Sequence, residues 1–167
     1  MSTNATHEAT TRETTIEADP DLPTIRITRD FDAPSDKVFR AFVDPELFAQ
    51  WVGPKSNEIR IDQWNGRTGG NYRYAVLKDG EVVAAFYGSF HEVRPNERLV
   101  QTFTWEGMPD GVSLETMTFV DLGGGRTRAI GLSVVENLEA RDGIMASGME
   151  VGVYEGYEKL DALLALG

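Results

Sequence analysis

At 167 residues the chain has room for one domain of ordinary size, and 41% hydrophobic with 26% charged residues is a globular composition. A formal charge of −11, from 16 Lys and Arg against 27 Asp and Glu, repels phosphate backbones and anionic lipid heads, so nucleic acid is not an expected partner. Cysteine is absent, which excludes disulfides, thiolate catalysis and Cys-ligated zinc, and histidine occurs only twice.

No stretch approaches the roughly 20 apolar residues of a membrane span, so no membrane insertion is expected. The N-terminus has neither a basic start nor an apolar run, so no signal peptide is read and a cytoplasmic address follows by default. Residues 1–22 are rich in Thr, Glu and Ala, lack aromatics and end in Asp19-Pro20-Asp21. Such a segment buries too little apolar area to offset its ordering entropy, so a disordered tail is expected there, followed by one domain over 23–167.

From Thr24 the pattern has period two, with Ile25, Ile27 and Phe31 on one face of a strand. Pro34 ends it, and Ser35 is the expected N-cap of a short helix carrying Val38, Phe39 and Phe42. Asp44-Pro45-Glu46 starts a second short helix with Leu47, Phe48 and Trp51 on one side, stopped by Gly53-Pro54. Six strand-like runs follow, near Glu58–Gln63, Gly70–Leu77, Val82–Val93, Leu99–Trp105, Leu114–Leu122 and Thr127–Val134. Turn residues separate them, and Asp79-Gly80 is a hairpin signal. Connections this short predict an antiparallel meander. Gly123-Gly124-Gly125-Arg126 is a turn and not a phosphate loop, because neither Lys-Ser/Thr nor a helix follows it.

One long helix is expected from about Leu138 to Leu166, with Met145, Met149, Val153, Leu160 and Leu164 on its apolar face. Gly148, Gly152 and Gly156 interrupt that face, and each costs about 1 kcal/mol relative to alanine. The stripe implies that another surface, or a bound molecule, approaches the helix backbone. A sheet of about seven strands with one apolar face must bury it, and the final helix is the largest available cover. The expected fold is therefore α+β and of the helix-grip type, a curved antiparallel sheet wrapped around a C-terminal helix.

The order of elements and several short motifs resemble the START-like (SRPBCC) superfamily, whose fold is also called Bet v1-like. Within it the chain is most similar to the branch named after the activator of Hsp90 ATPase homologue (AHSA1-like). The carriers are Arg29-Asp30-Phe31-Asp32-Ala33-Pro34, Asp44-Pro45-Glu46-Leu47 with Trp51, Gly69-Gly70-Asn71-Tyr72, and Gly88-Ser89-Phe90-His91-Glu92-Val93 leading to Pro95 and Glu97-Arg98-Leu99. Gly124-Gly125, Thr127-Arg128, Ser147-Gly148-Met149-Glu150 and Leu160-Asp161 complete the set. The resemblance implies binding of small hydrophobic molecules, cyclase chemistry or chaperone partnership. The family's tandem Trp is here Trp51-Val52. The Hsp90 activator carries an extra N-terminal domain that residues 1–22 do not supply, so Hsp90 stimulation is not expected.

Tyr72 and Tyr74, Phe103 and Trp105, and Met117 and Phe119 each share a strand face. Together with Trp51 they form the expected wall of a ligand cavity opposite Met145, Met149, Gly152 and Val153, since aromatic and Met walls adapt to apolar guests. An ordinary filled core is the competing reading for each residue taken singly. Arg29 shares parity with Ile27 and Phe31, so it either holds a ligand carboxylate or pairs with a neighbouring acid. His91 is the one weak candidate for a catalytic base, set against an ordinary strand histidine. Glu115 has the parity of Met117, yet its place beside a turn predicts exposure.

No carboxylate pair, nucleophile with a base, or metal-ligand set is recognisable, and no cofactor is expected. The preferred reading is a non-catalytic carrier or sensor of a small hydrophobic molecule, with a homodimer an open option. The alternatives are a cofactor-free cyclase or hydratase using His91, Arg29 or a tyrosine, and a stress-response interaction module.

Overall fold

The computed structural model describes residues 14–167. Strand β1 (Thr15–Ala18) runs antiparallel to β2 (Thr24–Phe31), with Thr15 opposite Thr28 and Ala18 opposite Ile25. This is a departure from the expected tail: residues 15–18 extend the sheet by one strand, while residues 1–13 lie outside the described residues. The weak apolar content of the segment hid an edge strand held by backbone ladder bonds rather than by side-chain burial.

Two short helices follow, α1 (Ser35–Val43) and α2 (Pro45–Trp51). Pro34, not Ser35, occupies the N-cap of α1, and the Ser35 hydroxyl instead lies 3.2 Å from that of Thr127. Asp44 caps α2 by accepting from the amides of Glu46 and Leu47 at 2.9 and 3.4 Å. The remaining strands are β3 (Glu58–Trp64), β4 (Asn71–Lys78), β5 (Glu81–Arg94), β6 (Arg98–Trp105), β7 (Ser113–Gly123) and β8 (Arg126–Val134). They form the expected meander, and β2 closes onto β8 to give the order β1-β2-β8-β7-β6-β5-β4-β3, antiparallel throughout. The β4–β5 turn places Asp79 at φ 53° and Gly80 at φ 81°, the two left-handed residues of a type I′ hairpin.

Register shifts at Ile61/Gln63, Val76/Leu77, Phe90/Glu92 and Asp121/Gly123 bend the sheet. The concave face carries Tyr72, Tyr74, Phe90, Leu99 and Phe119, all buried. Against them pack Val38, Phe39 and Phe42 of α1 and Trp51 of α2, with Phe42 edge-on to Trp51 at 4.8 Å and to Phe119 at 5.3 Å.

The C-terminal segment is two helices, α3 (Leu138–Ala146) and α4 (Met149–Ala165), and not the single one expected. Gly148 separates them at φ +81°, a conformation glycine adopts without strain. Tyr157 and Leu160 of α4 are fully in the core, and burying a side chain such as Leu160 is worth roughly 1.5–3 kcal/mol. The rest of the glycine stripe faces the chain that leaves α2. A Cβ on Gly156 would lie 3.1 Å from the Trp51 carbonyl oxygen and 3.3 Å from the Gly53 nitrogen, and one on Gly152 would lie 3.5 Å from Pro54 Cδ. The stripe thus marks helix-to-backbone packing.

Candidate functional site

A cavity of about 200 Å³ lies between the short helices and the middle of the sheet. Phe42, Phe48, Trp51 and Val52 form its roof; Tyr74, Leu99, Phe103 and Met117 form most of its floor. Gln101, Glu115, Thr116 and Gly131 complete the wall. The local causes are simple. Capping by Asp44 and the stop at Gly53 set Trp51 at the end of α2, where its indole N–H donates to the Ala41 carbonyl at 2.8 Å. Gly131 sits opposite Met117 in the ladder, and a Cβ there would come within 3.2 Å of the Met117 methyl, so its absence leaves room for that side chain.

Of the residues expected to bind a ligand, Trp51, Tyr74, Phe103 and Met117 meet in this wall. Tyr72 lies next to it, stacked on Tyr74 at 6.3 Å, but its hydroxyl is engaged: it donates to the Thr102 carbonyl at 2.6 Å and accepts from Gln101 at 3.0 Å. Trp105 has the right parity but ends β6, and its side chain is 47% exposed, folded over Gly107. Met145, Met149 and Gly152 are partly buried away from the wall, and Val153 packs against the core. The helix break at Gly148 and the Trp51–Pro54 chain lying against α4 account for this displacement. The roof over the cavity is therefore α1 and α2.

Arg29 is buried and forms an ion pair with Asp161 of α4, while its guanidinium carbon lies 5.4 Å from the Phe31 ring centre. With Asp30, Asp32, Asp161, Leu164 and Ala165 it lines a separate hollow of about 250 Å³, which contains no aromatic ring. His91 falls at the register shift of β5, where Phe90 pairs with Gln101 and Glu92 with Val100, and it is exposed. Neither residue reaches the aromatic cavity.

The residue that sequence reasoning misplaced is Glu115. Its side chain turns inward with the parity of Met117 and joins the cavity wall. One carboxylate oxygen accepts from the Ser113 hydroxyl at 2.8 Å, the other from the Ser133 hydroxyl. Ser133 and Gln101 are its direct neighbours across β8 and β6. Burial raises its pKa above the ordinary 4.5, and the two serine hydroxyls oppose that rise by stabilising the charged form. Burial likewise raises the phenols of Tyr72 and Tyr74, and neither ionises near neutral pH. The alternation Glu115-Met117-Phe119 is the signal that points inward; proximity to the turn obscures it.

No group of three or more His, Cys, Asp or Glu able to hold a metal occurs among the described residues, and no helix among them is long and apolar enough to cross a membrane. Comparison with known families matches residues 32–165 to the family described as Activator of Hsp90 ATPase homolog 1-like protein. The chain belongs to that family. Activator of Hsp90 ATPase homolog 1-like proteins are the branch of the START-like superfamily that the motifs above resemble, and the fold agrees. Protein Ms6760 from Mycobacterium smegmatis is 26% identical, with 91% of this chain and 97% of that one covered at a TM-score of 0.81. A protein from Arthrobacter aurescens is 25% identical over 92% of both chains, with a TM-score of 0.82. Protein CV1439 from Chromobacterium violaceum is 28% identical over 85% of this chain and 96% of its own, with a TM-score of 0.71. No curated protein matches the sequence.

Proposed function

We propose that the chain binds a small hydrophobic molecule in the cavity beneath α1 and α2, as a carrier or sensor. The observation that carries this reading is the wall itself: aromatic rings and a methionine around about 200 Å³ of unfilled space. Ligand pockets for drug-sized molecules run from about 300 Å³ upward, whereas an apolar cavity of about 150 Å³ holds benzene. The guest is therefore about as large as one substituted aromatic ring. Family membership supports the reading, since such folds accommodate small molecules.

Thermal unfolding with benzyl alcohol as the probe tests it. At one hundred times the dissociation constant a guest adds about 2.7 kcal/mol, or about 5–10 °C for a chain of this size. Met117→Trp, which drives an indole into the hollow, removes the shift while circular dichroism reports an unchanged fold. A probe that stabilises both proteins equally, or neither, contradicts the proposal.

Glu115 favours a second reading, a cofactor-free proton-transfer enzyme of the cyclase or hydratase kind. A carboxyl in a pocket whose proton is held more tightly through burial is suited to act as a general acid. His91 is exposed and Arg29 is engaged by Asp161, so neither supplies that function. This reading requires turnover that Glu115→Gln abolishes. Native mass spectrometry of freshly purified protein that recovers an unaltered guest supports the carrier instead.

A further inference from the structure

Among the described residues, Glu115 is the only charged side chain in the wall of the aromatic cavity, and its hydrogen-bond partners are hydroxyls rather than a counter-charge. Ser113 and Ser133 each donate to one of its oxygens. A carboxylate has about four acceptor positions, so two remain. Gln101, facing it across the ladder, donates to the Tyr72 hydroxyl. The ion pairs among the described residues leave Glu115 out, and Arg29 pairs with Asp161, Arg73 with Glu106 and Arg128 with Asp30. A carboxylate kept from water without an opposite charge is costly, so the empty site favours the protonated carboxyl, and a cationic guest offsets the cost of ionising it.

We infer that the cavity takes a small organic cation, a protonated amine on an apolar body, with Glu115 as its counter-charge. The inference rests on the cavity reading above and adds the chemistry of the guest. The rings of Phe42, Phe48, Trp51, Tyr74 and Phe103 bound the same space, and π faces attract a cation within about 6 Å, most strongly when it is desolvated. Ionised opposite a cationic guest, the Glu115 carboxylate supplies the negative charge that an aromatic enclosure lacks. It also repels carboxylates and phosphates, as does the net charge of −11. Ser113 and Ser133 fix both oxygens, one from the same strand and one from the strand beside it, so the acceptor is held in place before a guest arrives.

Calorimetric titration with three probes of one shape class tests this: benzylamine as the cation, benzyl alcohol as the neutral donor and phenylacetate as the anion. The expected order in the natural protein is benzylamine at least tenfold tighter than benzyl alcohol, with phenylacetate undetected. Glu115→Gln keeps the side-chain shape and removes the charge; it is expected to abolish the preference for the amine while benzyl alcohol binding persists. Equal affinity for benzylamine and benzyl alcohol in the natural protein overturns the inference and leaves the cavity reading intact, as does an amine preference that survives in Glu115→Gln. Failure of all three probes overturns both. The ranking in the natural protein decides the matter even if the variant does not fold.

Discussion

Replacing the glycines of the last two helices one at a time separates propensity from packing. At Gly143 in α3 an added methyl would meet nothing within 4 Å, so Gly143→Ala gains only helix propensity, about 1 kcal/mol. Gly152→Ala places its methyl 3.5 Å from Pro54 Cδ, an ordinary contact, and is expected to gain nearly as much. Gly156→Ala gains the same propensity, but its methyl meets the Trp51 carbonyl oxygen at 3.1 Å and the Gly53 nitrogen at 3.3 Å. Backbone atoms yield less readily than side-chain ends, and overpacking of this kind costs roughly 1–3 kcal/mol. The net expectation is a loss of about 1 kcal/mol. At about 2–4 °C per kcal/mol for a chain of this size, thermal unfolding should rise by a few degrees for Gly143→Ala and fall by a few for Gly156→Ala. Gly156→Val should fall further. If Gly156→Ala stabilises as much as Gly143→Ala, α4 does not lie against the Trp51–Gly53 backbone and the placement of the cavity roof is wrong.

Stability against pH probes Glu115. Its raised folded pKa means that, above 4.5, the folded protein keeps a proton which the unfolded chain has released. Stability therefore falls as pH climbs from 4.5 until the folded carboxyl ionises, by up to about 1.4 kcal/mol per pH unit, and is flat in this group below that interval. The other titratable groups nearby are the phenols of Tyr72, Tyr74 and Tyr157, all held neutral by burial, with Arg29 acting on Tyr157. Denaturant melts of the natural protein and Glu115→Gln should diverge across that range, the variant having the shallower decline; parallel curves contradict the burial. Asp161→Ala should cost about 1.5–2 kcal/mol, the lower part of the range for a hydrogen bond to a charged group, because the aspartate is 44% exposed. His91→Ala should change neither stability, beyond about 0.5 kcal/mol, nor the response to benzyl alcohol.

Much of the architecture is readable in the sequence because the local rules agree with one another. Alternating apolar residues, short turns and Asp79-Gly80 mark six strands within one or two residues of their ends, and Asp44-Pro45 marks the start of α2. β1 escapes notice because an edge strand with little buried surface leaves no hydrophobic pattern. The glycine stripe is visible, but its partner is not: close approach can come from a guest or from backbone, and only the fold shows the Trp51–Pro54 chain lying there. Parity identifies Tyr74, Phe103 and Met117 correctly as inward, yet fails for Trp105, where the strand ends and the ring folds back over Gly107. Periodicity assigns Phe42 and Phe48 to helix faces but gives them no destination, since packing of α1 and α2 over the sheet depends on contacts far apart in the chain.

Binding of any guest requires a hollow able to admit it between the short helices and the sheet. Diffraction from crystals pressurised with xenon, which enters dry apolar cavities, tests it directly. Xenon density between Phe48, Trp51, Phe103 and Met117 is the expected result. The same space filled by those side chains, with no xenon bound, would contradict the account.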